Sequence, residues 1–125
     1  MGTWGNGNLD NDCAWDELSD RSHELVTALL DRARMPESRQ ADEYDYTTLF
    51  VEFEILFALD SKGLISGVKL PQPCEVEELK WSYIDDWTSY IDGLKPTADH
   101  KRLRRMAILR TFNRFKQICA KHHGK

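Results

Sequence analysis

No run in this chain approaches the roughly 20 consecutive apolar residues that a membrane-spanning helix needs. The N-terminus shows neither a basic segment nor the apolar stretch of a secretory leader, so a cytoplasmic protein is the expectation. Cysteine is scarce: Cys13, Cys74 and Cys119 are odd in number and far apart. That argues against a disulfide framework and suits a reducing compartment, with a single pair left open. There is no CxxC pair, and His23, His100, His122 and His123 are too scattered for a zinc pattern. No serine or cysteine stands in a nucleophile motif. These absences leave no catalytic signature, and the expectation is a non-enzymatic protein without metal or cofactor.

What the chain does have is an uneven charge. Residues 1–94 hold 20 of the 21 Asp and Glu but only seven of the 17 Lys and Arg, a net −13. Residues 95–125 carry the other ten cations against Asp99 alone, a net +9. Either an acidic body pairs internally with a basic last helix, or two surfaces serve different partners. At 125 residues and 41% hydrophobic content the chain suits one domain with a real core.

Periodicity predicts an all-α fold of four main helices behind an N-terminal arm, 1–12, with helices over 13–35, 46–60, 75–92 and 97–122. In the first helix Asp12 is the expected N-cap and Pro36 the stop. Ala14, Trp15, Leu18, Ser22, Leu25, Val26, Leu29, Leu30 and Ala33 share its inner face. Asp16, Glu17, Asp20, Glu24 and Asp31 gather opposite as an acidic stripe. Residues 36–45 read as a polar loop. The segment 46–60 is apolar enough to be a strand or a buried helix, and its length without a turn signal favours the helix. In the third helix Val76, Leu79, Tyr83, Trp87, Tyr90 and Leu94 face the core. Thr97 caps the fourth, whose core face is Ile108, Thr111, Phe112, Phe115, Ile118 and Cys119. Arg110, Arg114 and Lys121 line one flank, and Arg102, Arg105 and Lys116 the other.

The opening Gly2-x-Trp4-Gly5-x-Gly7, followed by Asn11-Asp12-x-Ala14, resembles the signature of a bacterial family known as domain of unknown function 4259. The likeness extends to Glu52 and Glu54 in an apolar second helix, the Leu70-Pro71 connector, Trp81 and Trp87 in the third helix, and a charged last helix. Cys13 and the run Trp15-Asp16-Glu17-Leu18 depart from the usual pattern, and the last helix is more basic. The resemblance implies kinship of fold and carries no activity.

Several clusters invite a function. Glycines before a helix can cradle a phosphate, but the helix here opens on Asp10, Asn11 and Asp12, and the carboxylates of Asp10 and Asp12 would repel one. The arm therefore reads as a structural lid pinned by Trp4, with Trp4→Ala costing ~3 kcal/mol if that ring is fully buried. Asp10, Asp12 and Asp16 lack the glycine and terminal glutamate of a calcium loop. A metal-dependent hydrolase would have to use Asp10, Asp12, Glu52 and Glu54. Glu52 or Glu54 is expected to be partly buried and ion-paired with Arg104, Arg105 or another cation of the last helix. That helix could follow a nucleic-acid backbone through Arg110 and Arg114, although the acidic body opposes it. Its simpler use is pairing with the stripe on the first helix. The leading functional reading is a protein-binding module: an immunity-type inhibitor holding a basic partner, such as a toxin nuclease, on Asp16, Glu17, Asp20, Glu24 and Asp31, with Glu75, Glu78, Asp85 and Asp86 of the third helix as candidates to extend that surface.

Overall fold

The computed structural model describes residues 3–123, so Gly2 of the opening signature lies outside the described residues. Four helices follow in order: α1 (Asp12–Arg34), α2 (Tyr44–Ser61), α3 (Pro73–Gly93) and α4 (Ala98–His123), with a 3₁₀ turn at Pro36–Arg39 between the first two. The all-α expectation holds, and the segment 46–60, apolar enough for a strand, is helical. Among the described residues the only extended pairing is an isolated antiparallel bridge between Thr3 and Asn11. No described helix is long and apolar enough to cross a membrane.

Each helix end has a local cause. The cap of α1 is Asn11, not Asp12: its Oδ1 accepts from Ala14 N–H at 2.7 Å. Asp12 becomes the first helical residue, where its charge meets the positive end of the macrodipole. Gly63, at φ +70°, ends α2, and Leu64 N–H returns to the Leu59 carbonyl at 2.9 Å. A side chain is strained in that left-handed conformation, which is why a glycine stops the helix there. Pro73 opens α3 in the first turn, where its missing N–H costs nothing. Thr97 Oγ1 accepts from His100 N–H at 3.1 Å and caps α4 as expected.

The core is aromatic. Phe53 of α2 meets Phe112 and Phe115 of α4 edge-on, with centroids 5.2 and 5.6 Å apart. Tyr83 of α3 lies 5.2 Å from Phe112, and Trp87 is fully buried beside them. From α1, Val26, Leu29 and Ala33 close the other side. Packing is not all-against-all: α3 lies on α4, α1 on α2 and α3, and α2 touches α4. Among the described residues α1 and α4 make no close backbone approach. Leu94, expected in the core, is 44% exposed because α3 ends at Gly93, while Ile84 and Ile91 take the inner positions. Ile65 and Leu70 of the connector are buried as well.

The supposed loop 36–45 holds the tightest polar knot of the molecule. Arg39 is 8% exposed, and its guanidinium donates to the Ala33 carbonyl from Nε (3.3 Å) and Nη2 (3.2 Å). Nη1 donates to the Ser82 carbonyl, to Ser82 Oγ at 2.8 Å and to Asp86 Oδ2 at 2.7 Å. One cation thus satisfies a terminal carbonyl of α1 and ties it to α3. Tyr83 adds a buried hydroxyl that donates to the Ser38 carbonyl.

The arm is folded, but not as a lid. Trp4 N–H donates to the Asp10 carbonyl at 2.9 Å, and Gly7 N–H to Asp10 Oδ2 at 2.8 Å. Any Cβ at Gly5 would sit 2.5 Å from that carboxylate oxygen. The glycines therefore serve close approach of Asp10. The arm bonds to itself, and the Trp4 ring is left 57% exposed.

Candidate functional site

Two outer surfaces stand apart from the core. The first is the outside of α1, where Asp16, Glu17, Asp20, Glu24 and Asp31 are all exposed. At ~100° per residue, Glu17, Asp20, Glu24 and Asp31 fall within an arc of roughly 60° opposite Ser22, Val26, Leu29 and Ala33. From Asp16 to Asp31 the stripe runs about 22 Å along the axis. Glu17 pairs with Arg21 at 2.9 Å within the helix, and this raises the Arg21 pKa further. Among the described residues no other ion pair engages the five.

The expected neutralisation of this stripe by the last helix does not occur. The cations of α4 look the other way: Lys101 pairs with Asp92 at 2.5 Å, Lys116 with Glu77 at 3.5 Å, and Lys121 with Asp60 at 2.8 Å. These acids belong to α2 and α3. Partial burial pushes the Asp60 carboxyl up, but hydrogen bonds from Lys121 and His122 outweigh it and hold the group below its usual range. Glu77 is held low chiefly by its hydrogen bond from Lys80, with Lys116 adding to the effect. Of the α3 acids, Asp86 is taken by Arg39, while Glu75, Glu78 and Asp85 are exposed.

The second surface is the groove between α2 and α4. Where Tyr46, Phe50, Val51 and Ile55 line it, this open groove has a volume of about 560 Å³. It continues past Glu54, Arg110 and Arg114 to Asp60 and Lys121. Val51 and Ile55 are 51% and 47% exposed, so the most apolar helix of the chain shows greasy side chains to water. Arg104 donates from Nε to the Tyr46 hydroxyl and lies over the Phe50 ring at 4.5 Å. Arg114 lies over Phe57 at 4.6 Å.

The remaining candidates do not converge on chemistry. Glu52 is indeed half-buried and paired, but with Arg32 of α1 at 2.7 Å and not with Arg104 or Arg105. Arg32 also holds Asp45, so this ion pair stitches α1 to α2. Glu54 is exposed in the groove. Asp10 is occupied in the arm. Among the described residues, no three His, Cys, Asp or Glu side chains stand close enough to share a metal ion. All three cysteines are free thiols. Cys119 is fully buried, and burial raises its pKa to about 12, so it holds no thiolate at neutral pH.

The buried Arg39 was the functional-looking residue that pattern reading missed, because its side-chain partners Ser82 and Asp86 lie 43 and 47 positions away. The exposed side of α2 did leave a signal: a helix apolar all round must be covered all round. No family profile, curated protein or solved structure matches the chain.

Proposed function

We propose that the protein is a non-enzymatic interaction module that binds a basic protein through the outer face of α1, in the manner of an immunity protein neutralising a toxin of the nuclease class. One observation carries this reading. The five carboxylates Asp16, Glu17, Asp20, Glu24 and Asp31 face solvent on the side of the molecule away from α4, whose own cations pair with α2 and α3. Apart from the Glu17–Arg21 pair, their negative field is therefore not cancelled by the last helix, although that helix contains enough cations to cancel it. A field of this kind steers a basic partner during encounter and rejects acidic ones. It presents to a nuclease a charge pattern like that of its substrate. The acids meet the partner as a row about 22 Å long on a rigid helix, so binding costs little ordering.

The test uses the product of the gene next to this one as the trial partner, with association measured at several salt concentrations. Native protein is expected to associate fast at low salt, with a rate that falls as salt rises. Asp20→Lys combined with Glu24→Lys is expected to slow association by about tenfold or more. Unchanged binding by that variant would remove α1 from the interface.

A further inference from the structure

Exposed apolar side chains, stacked aromatic rings and cations without a carboxylate meet in the groove between α2 and α4. The inner face of α2 is spent on the core through Leu49, Phe53, Leu56 and Phe57. Its outer face still carries Val51, Ile55 and Ala58, all exposed. On α4, Leu103 is 55% exposed and, at seven and eleven residues' spacing, lies on the same helix face as Arg110 and Arg114. Apolar area of this sort gains roughly 25 cal/mol for each Å² withdrawn from water, so the wall favours an occupant.

The charges say which occupant. Among the described residues Arg104, Arg110 and Arg114 have no carboxylate within ion-pair distance, and all three line the groove. Arg104 lies over Tyr46 and Phe50, and Arg114 over Phe57. A stacked guanidinium is already oriented; Arg104 spends its Nε N–H on the Tyr46 hydroxyl, and its terminal N–H groups face no carboxylate among the described residues. The opposing charge is Glu54 on the α2 wall, while Asp60 at the far end is satisfied by Lys121 and His122. The groove is therefore apolar along α2 and basic along α4.

We infer that this groove receives an amphipathic helix from a partner protein, with an apolar stripe laid on Val51 and Ile55 and Asp or Glu residues along the flank that meets Arg104, Arg110 and Arg114. A groove between two helices accepts the ridge of a third. The distance from Tyr46 to Asp60 corresponds to about 21 Å, or about four turns of helix. A nucleic acid fits less well, since Val51, Ile55 and Ala58 offer a backbone no donor and Glu54 repels phosphate. A second copy of this chain cannot supply the occupant from α1, because the apolar stripe of α1 is buried and its outer face is acidic.

The probe is a fluorescein-labelled helical peptide of about 18 residues, with leucines on one stripe and glutamates on the adjoining flank, followed by anisotropy on the full chain. Saturable binding is expected, weakened about tenfold or more by Arg110→Glu with Arg114→Glu and by Ile55→Asp. A peptide with glutamine at every glutamate position, which the acidic face of α1 does not attract, should bind native protein about tenfold more weakly, which makes the test independent of how any variant folds. Asp20→Lys with Glu24→Lys should leave peptide affinity unchanged, so failure at the groove is separable from failure at α1. Equal affinity for both peptides, or no binding of either, would overturn the inference. So would a single-stranded oligonucleotide that binds with the same arginine dependence, or a native dimer that Ile55→Asp dissolves.

Discussion

Helices α1 and α2 lie against each other and treat their outer faces in opposite ways. On α1 the chemistry is segregated: Val26, Leu29 and Ala33 go inward, and Asp20, Glu24 and Asp31 go outward. On α2 it is not, for Leu49 and Phe53 are buried while Val51 and Ile55 remain half in water. A segregated helix can be read from its sequence, because the pattern names both faces at once. An unsegregated one declares only that it is apolar, and the surplus beyond the core is what an absent neighbour would use. Charge repeats the contrast: on the outside of α1 four of the five acids stand without an ion pair among the described residues, Glu17 alone being paired with Arg21, and the groove beside α2 holds arginines without a carboxylate partner.

The comparison breaks if the inner and outer residues of α2 prove equally important to folding. Phe53→Ala removes a ring that contacts Phe112 and Phe115, and is expected to lower unfolding free energy by about 4 kcal/mol in denaturant titration. Arg39→Ala should come next, at about 3 kcal/mol, because it leaves the Ala33 carbonyl without its donor and unties α1 from α3. Asp60→Asn is subtler and shows only in acid. The folded pKa of Asp60 lies below its ordinary 3.8, so its contribution is complete above that value and is lost as pH falls through the folded pKa. The acid limb of melting temperature against pH should therefore be shallower in the variant. Ile55→Ser should change stability least, by no more than about 0.5 kcal/mol, since that side chain is already half exposed.

The same contrast explains what the sequence could reveal. The four helices, the inner face of α1 and the core line from Ile108 to Cys119 follow from spacing, which is local information. Neighbour relations do not. Ten cations near the C-terminus and an acidic stripe on α1 suggested a match, yet α4 packs on α2 and α3, and Asp60, Glu77 and Asp92 take its lysines. Glu52 likewise found Arg32, which spacing cannot rank above Arg104. Asn11 and Asp12 are both competent caps, and only the backbone at Asn11, φ −155° and ψ 157°, decides between them. Trp4 looked like an anchor from its area, but the arm's hydrogen bonds close on Asp10 and leave the ring outside.

On the proposed function, the acidic outer face of α1 serves binding and not folding. Denaturant unfolding of a chain carrying Asp16→Asn, Glu17→Gln, Asp20→Asn, Glu24→Gln and Asp31→Asn tests it most directly. Removing like charges from one helix face is expected to leave stability equal to the native value or higher by up to about 1 kcal/mol. A loss of more than about 1 kcal/mol would mean that the acids hold the fold together and are not reserved for a partner.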